Sequence, residues 1–516
     1  MTQGRSIDRG TVMALVAMGL SVLILANDFT ALNVALPSIE KAFDTDVSTV
    51  QWVINAYALV FGMLIVTGGR LADLLGRRRA FFVGTTIFVG MSLLGGAAQN
   101  EYWLIAARAG MGVGAALLWP AILGMTFALL PDRAGLAGGL ILGAAGVGQS
   151  IGPISGGLLT EFLSWRWTLF VNLPIGALAM LVTWRTLHQP REPVKEERID
   201  YPGILTLSIG LLALLFALDQ GVEWGWSDWR IVTALAVAAV LVTAFPLIER
   251  RRGESALVPR DVITNRRFAA ACGAIGLMSA AFIASMLYLP QFLQKILDYS
   301  PLHAGIAMLP IMVAFATLSF VAGPLYDRLG AKVVVTVGTI AIAVGALLLT
   351  FLREGSGYVS LIPGMIVMGI GFGLFYSSAT TAGITALDPS RSSLAGGIAY
   401  MFQIAGGAVG LGLSTTIFTS FSERKLDSTL RDAGAPLTDA QSDAAHGILA
   451  GTDSGKRVLE QFPQLGHELV RIVREAFVDG FNWAFRVDAA LAFVGVAIAA
   501  LFVGGRLSRG GSARRT

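Results

Sequence analysis

The chain is poor in the residues that do covalent or metal chemistry. Among 516 residues there are four histidines and one cysteine, Cys272. Cys272 lies inside an apolar run, so an intramolecular disulfide is excluded and a thiolate metal cluster has no ligands. No carboxylates cluster within the apolar runs, which leaves no catalytic constellation and no metal site, and an enzyme is not expected. Nothing reads G-x-x-x-x-G-K-S/T, and there is no large soluble segment to house a nucleotide-driven motor. No cofactor is implied, and any work done must draw on an ion gradient. Charge is scarce as well: 14% of residues are Asp, Glu, Lys or Arg, with a formal net charge of +4. That small excess gives no reason to expect a nucleic-acid partner.

What the chain has instead is apolar sequence. It is 54% hydrophobic with a mean hydropathy of +0.68. Runs long enough to cross a hydrocarbon core of roughly 30 Å recur from end to end. Fourteen spans are predicted, near 12–36, 49–69, 80–99, 102–129, 135–160, 167–187, 203–219, 230–248, 268–290, 303–325, 333–352, 358–384, 394–419 and 477–504. The first is too long for a signal-peptide core and is read as a retained helix. Basic residues collect in alternate loops: Arg77, Arg78 and Arg79, then Arg191, Lys195 and Arg198, then Arg250, Arg251, Arg252, Arg266 and Arg267, and the tail Arg514–Arg515. The opposite loops hold little beyond Lys41, Arg166, Arg230, Lys295 and Arg353. The positive-inside rule then places both termini on the cytoplasmic side of a multi-pass membrane protein.

Two internal echoes shape the architecture. GGRLADLLGRRR at 68–79 is answered by GPLYDRLGAK at 323–332, and AGG with Gly148 and Gly152 is answered by AGG at 395–397 with Gly406 and Gly410. The interval is eight spans in the same orientation, so two six-helix halves flank an inserted pair. The expected units are 1–187, an inserted pair with linkers over 188–267, and 268–516. Parallel repeats of this kind occur in carriers whose halves rock about a midplane site. The tryptophans of GVEWGWSDW, between the inserted helices, read as an interfacial aromatic belt. Residues 137–159 carry glycines one turn apart at Gly148, Gly152 and Gly156, with Pro153 among them. Such a smooth face suits close backbone approach, either as a rocking interface between bundles or as a static packing seam.

Gly69, Leu71, Ala72, Asp73, Gly76, Arg77 and Arg78 resemble the cytoplasmic signature of the major facilitator superfamily. Gly148–Gly157, with Gly152, Pro153, Gly156 and Gly157, resembles its antiporter motif, associated with exporters. NDFTALNVALP at 27–37, WRWTLFVNLPIG at 165–176 and the fourteen spans together are similar to the EmrB/QacA-type drug:proton antiporters. The resemblance covers nearly the whole chain. Met111 departs from it, standing where a glutamine is usual, and Leu411 replaces the proline in the second-half echo.

The resemblance implies an all-α major facilitator fold and proton-coupled export of lipophilic or cationic compounds by alternating access. Asp28 is the only acid well inside the first span, and an intramembrane acid is a functional hypothesis by default. At about 1.5 Å per residue, Asp28 and Arg108 lie within about a turn of each other in depth. Their helices are neighbours in the family resembled, so the two are expected to form a separable, proton-coupling pair. A permanent polar clasp is the plainer alternative. Burial disfavours a carboxylate's charge and a guanidinium favours it, so separating such a pair promotes protonation.

Gly76 suits a tight turn, and Asp73 can cap an exposed helix N-terminus. The resemblance implies that this loop and its echo, with Asp327 and Arg328, latch the halves at the cytoplasmic side. Cavity candidates are the polar and aromatic groups at mid-depth: Asn33, Asn55, Tyr57, Gln149, Tyr288, Gln291, Tyr376 and Gln403. Singly, each is better explained by helix–helix hydrogen bonding or core packing. Asp488 is expected at the outer interface, beside Arg486. A potential of 100 mV contributes about 2.3 kcal/mol per charge. One pH unit adds about 1.4 kcal/mol per proton. A single proton therefore sustains a gradient of roughly a few hundredfold, at about 1.4 kcal/mol per decade.

Residues 420–476 read as one sizeable extracytoplasmic loop, able to dock a periplasmic adaptor if the host has an outer membrane, or to remain an extension. A monomer in the lipid bilayer is expected. Three readings stand: a multidrug exporter; a dedicated exporter of one metabolite, antibiotic or siderophore; and, remotely, a non-transporting sensor or scaffold.

Overall fold

The computed structural model describes residues 8–187, 199–252, 256–432 and 466–503, and among these the regular structure is helical without strands. The basic residues Arg191, Lys195, Arg198, Arg514 and Arg515 lie outside the described residues. Fourteen helices are long and apolar enough to span a membrane. In chain order, α1–α6 are Arg9–Phe43, Thr49–Leu75, Arg77–Gly96, Glu101–Leu129, Ala134–Phe162 and Trp167–Thr186. Next, α7 and α8 are Tyr201–Gly221 and Trp229–Arg252, while α9–α11 are Arg266–Lys295, Leu302–Leu329 and Ala331–Leu349. Last, α12–α14 are Tyr358–Thr385, Pro389–Asp432 and Val470–Phe502. Helices satisfy their own backbone, the condition hydrocarbon imposes. Several starts are capped by short polar side chains: Asp46 accepts from the Thr49 amide at 2.7 Å and Asn100 from the Trp103 amide at 2.8 Å.

Two sets of six helices pack in the same pattern. In the first, α1 lies against α5 and α6, and α4 against α2 and α3; in the second, α9 lies against α13 and α14, and α12 against α10 and α11. The inserted α7 rests on α2 and α13, and α8 rests chiefly on α7. Trp226, beyond α7, sits over Gly412 of α13, where an added Cβ would lie 3.3 Å from its ring.

The sets meet along two seams, α5 with α10 and α2 with α13. Both are built on glycine. A Cβ on Gly139 would meet the Ser319 carbonyl oxygen at 3.1 Å, and one on Gly69 would meet that of Ser393 at 2.7 Å. Near these seams the chain turns through Gly76 and Gly330, at φ +99° and +86°. Only glycine adopts that backbone at little cost.

The antiporter-motif glycines occupy another face. Gly148, Gly152 and Gly156 pack against Leu23, Thr30 and Ala31 of α1, within their own half. They form a packing seam and not an interface between bundles, because α5 carries two small-residue faces. Gly135, Gly139 and Gly146 form the face toward α10. Pro153 lies inside one continuous helix. An added Cβ on Gly156 would overlap the Ala31 backbone, whereas on Gly157 the nearest atom is 3.8 Å away. Overpacking of this kind costs about 1–3 kcal/mol. Gly156→Ala should therefore lower the melting temperature of the purified protein, with Gly157→Ala unchanged.

The supposed loop at 420–476 is shorter than expected. Helix α13 continues to Asp432, and the last helix begins at Gly466. Leu426, Leu430, Ile472 and Ala476 are buried at helical spacing, so the projecting ends pack on each other. Arg474 ties α14 to Asp298 through two bonds of 2.8 and 2.7 Å. Residues 433–465 lie outside the described residues.

Candidate functional site

The close approach of α2 and α4 begins with Gly112, where a Cβ would sit 2.8 Å from the Tyr57 carbonyl oxygen. This brings Arg108 of α4 across α2, while the glycine seam on α5 holds α1 in place. Asp28 and Arg108 then meet in the interior, 1% and 0% exposed. Arg108 Nη1 donates to Asp28 Oδ2 at 2.5 Å, and its Nε donates to the Val53 carbonyl at 2.9 Å. The guanidinium also lies 4.4 Å from the centre of the Tyr57 ring. Met111 supplies a sulfur 3.6 Å from Nη1, a weak acceptor in place of the usual glutamine.

Asp28 has a second partner. Asn172 of α6 donates to its Oδ1 at 3.0 Å and also reaches Ser92 Oγ at 3.1 Å, which donates to the Leu169 carbonyl. Sequence reasoning did not single out Asn172 or Ser92. The available signal was a lone amide within the apolar run of α6. The carboxylate thus bridges a charged donor on α4 and a neutral donor on α6. That arrangement can pass charge between protonation states while one hydrogen bond remains.

Tyr57 opens onto a small cavity between the halves, of about 20 Å³. Its walls include Phe29, Tyr57, Phe61, Trp119, Gln149 and Tyr400. The rings form a chain: Tyr57–Phe61 at 5.8 Å, Phe61–Tyr400 at 5.3 Å and Tyr400–Trp119 at 4.6 Å between centroids. Tyr400 comes from α13, so the chain crosses from one half to the other. A cavity this size holds about one water molecule.

Of the expected cavity residues, Tyr57 and Gln149 line it and the others do not. Asn33 is exposed and bonds the Phe29 carbonyl at 3.1 Å. Asn55 donates to Asp219 of α7 at 2.7 Å, fastening the inserted pair. Tyr288 donates to Thr415 and stacks on Phe418; Gln291 accepts from Lys295. Tyr376 is buried among Phe282, Phe372 and Phe375. Gln403 is half-buried outside the cavity wall. The missed aromatic lining residues, Phe29, Phe61, Trp119 and Tyr400, sit in apolar runs where an aromatic side chain is unremarkable.

At the Gly76 turn, Asp73 does cap a helix, and the helix belongs to the other half. Its Oδ2 accepts from the Leu394 amide at 2.8 Å and its Oδ1 from the Ser393 amide at 3.3 Å. Arg77 pairs with Asp73 at 3.0 Å and donates to the carbonyls of Gly124 and Pro389, at 3.0 and 2.5 Å. The second half repeats the device: Asp327 accepts from the amides of Gly135 and Leu136 at 2.9 and 3.3 Å. Arg78 lies over the Phe82 ring, and Arg328 is exposed beside Pro324.

Two matched six-helix sets, capped across each other at one end and enclosing a buried ion pair beside an aromatic cavity, define a membrane carrier. The chain belongs to the Major Facilitator Superfamily, whose model matches residues 18–411. It is a multi-pass membrane transporter. It is 37% identical to the puromycin resistance protein pur8 of Streptomyces alboniger, over 80% of this chain and 81% of that one. It is 33% identical to the cephamycin export protein CmcT of Amycolatopsis lactamdurans, over 81% and 88%. Similarity to the multidrug resistance protein Stp of Mycobacterium tuberculosis runs at 28%, over 94% and 90%.

Proposed function

We propose that the chain is a proton-coupled antiporter that exports lipophilic or cationic compounds across the bacterial cytoplasmic membrane. The observation that carries this reading is the buried Asp28–Arg108 pair in contact with Tyr57, on the wall of the aromatic cavity. In this conformer Arg108 occupies the place a cationic substrate would take, between a carboxylate and an aromatic face. A proton arriving on Asp28 releases the guanidinium; loss of the proton restores a negative site. The Gly76 and Gly330 turns then lie at the cytoplasmic side with the termini, and this conformer is shut there. Residues 1–187 and 268–516 act as the two moving units, with 188–267 carried on the flank. The protein works as a monomer, and the α13–α14 projection is where a periplasmic adaptor would dock if the host has an outer membrane.

The names of two relatives favour a second reading, in which the same mechanism serves one antibiotic-like compound. A substrate screen in a host lacking its own exporters decides between them. A binding test addresses the cavity. A cation–π contact is worth about 0.5–2 kcal/mol. Tyr400→Ala should weaken binding of a fluorescent aromatic cation by roughly two- to thirtyfold on that scale, at about 1.4 kcal/mol per decade. Gln403→Ala, outside the wall, should leave it unchanged. Equal affinities in the two variants would place the substrate elsewhere.

A further inference from the structure

The internal repeat reaches further than the two motifs. Gly112 abuts Tyr57 as Gly369 abuts Ile311, and Gly114 abuts Phe88 as Gly371 abuts Ile342. The matching runs Met111–Gly114 and Met368–Gly371 set Met365 opposite Arg108. Leu36–Pro37 and Leu289–Pro290 set Ala281 opposite Asp28. Trp167, Val171 and Asn172 of α6 are matched at one interval by Trp483, Val487 and Asp488 of α14. The second half therefore lacks both members of the ion pair, and carries an acid where the first half has the amide that touches Asp28.

Asp488 does not sit at an outer interface. It is 0% exposed. Ser414 of α13 donates to its Oδ1 at 3.2 Å, and its Oδ2 is buried without a hydrogen-bond partner. The ionisable groups on the helices around it are engaged or distant. Arg486 lies on the Trp483 ring at 4.7 Å, and Tyr288 of α9 donates to Thr415. Lys295 of α9 bonds Gln291. Glu423, Arg424 and Lys425 of α13 and Asp479 of α14 lie further along their helices, and Lys332 is at the start of α11. Among the described residues none forms an ion pair with Asp488. Burying a bare carboxylate costs several kcal/mol. A neutral acid avoids that cost and gives Oδ2 a proton. One carboxyl and one hydroxyl are too few ligands for a metal ion, and no group of three ligating residues occurs among the described residues.

We propose that Asp488 is a second proton site, loaded in this conformer and exchanging its proton during the transport cycle. The carrier then moves protons at two carboxyls, one in each half. The exchange rests on the exporter reading above; occupancy by a proton does not.

The test joins two measurements. Infrared spectroscopy of the purified protein at neutral pH should show the carbonyl stretch of a protonated, weakly bonded carboxylic acid. It should vanish in Asp488→Asn, persist in Asp28→Asn, and shift in Ser414→Ala, which keeps the carboxyl but removes its hydrogen bond. A wild-type spectrum without the band, or a band unchanged in Asp488→Asn, overturns the proposal. In liposomes with the membrane potential clamped, Asp488→Asn should hold a steady-state gradient of a lipophilic cation about tenfold smaller per imposed pH unit, one proton being lost from the ratio. An unchanged gradient overturns exchange and leaves a fixed clasp. If wild type moves no cation at all, the exporter reading fails, and the infrared band alone decides the proton site.

Discussion

Asp28→Asn should reduce pH-driven accumulation of a lipophilic cation to the level seen without a gradient. The amide keeps the shape of the carboxyl and its oxygen can still accept from Arg108, while its nitrogen can no longer accept from Asn172 of α6. What it loses is the ability to be negative in one state and neutral in another. Without that change substrate binding is no longer tied to protonation at the Asp28–Arg108 pair, and a proton exchanged at Asp488 moves without driving substrate. The expected loss is about tenfold per imposed pH unit for each proton exchanged, because swapping one proton for one monovalent cation moves no net charge and only the pH difference, about 1.4 kcal/mol per unit, drives it. Removing one member of a buried pair also destabilises, by about 3–5 kcal/mol. Two controls separate that effect from coupling. Asp28→Glu restores a titratable group and should recover part of the gradient-driven signal. Exchange of labelled for unlabelled substrate needs no net proton movement, and should persist in Asp28→Asn once the substrate concentration is raised to offset the lost negative site. A variant that still accumulates substrate against its gradient would remove Asp28 from the coupling role.

The spans and the depth of the two charges were legible because hydrocarbon imposes rules that act on short stretches of sequence. Fourteen apolar runs correspond to fourteen helices. A fixed rise per residue was enough to set Asp28 and Arg108 at one level. Partnership across helices was harder, since it depends on which face of each helix turns inward. Asn172 completes the ion-pair site, yet its sequence context shows only one amide in an apolar run. The glycines of α5 mark close packing correctly but do not say against which neighbour. The helix sends Gly148, Gly152 and Gly156 to α1 and Gly135, Gly139 and Gly146 to α10. The wall of the small cavity was hard to read for the same reason: Tyr400 and Trp119 look like ordinary core until α13 and α4 bring them together. Beyond residue 419 the apolar density drops, but Leu426 and Leu430 keep one buried stripe and the helix continues.

Asp73→Ala combined with Asp327→Ala should open the seams between the halves at the end they cap. Each carboxylate accepts two backbone amides at the start of a helix in the opposite half. Loss of a helix cap costs about 0.5–2 kcal/mol. The two together then shift the balance between closed and open states by about 1–4 kcal/mol, from several-fold to several hundredfold at 1.4 kcal/mol per decade. Asp73 should dominate, for its side chain is 4% exposed and also holds Arg77, which reaches Pro389 of the other half. Asp327 is exposed, and water can replace part of what it supplies. The readout is thiol labelling of Ser319→Cys, a buried position facing Gly139, with the native thiol removed by Cys272→Ser. Labelling should accelerate in Asp73→Ala, more in the double variant, and little in Asp73→Asn, whose amide oxygen still accepts. An unchanged rate in the double variant would mean that the glycine seams alone hold this end shut. In that case Gly69→Ala, which forces a Cβ against the Ser393 carbonyl, should open it instead.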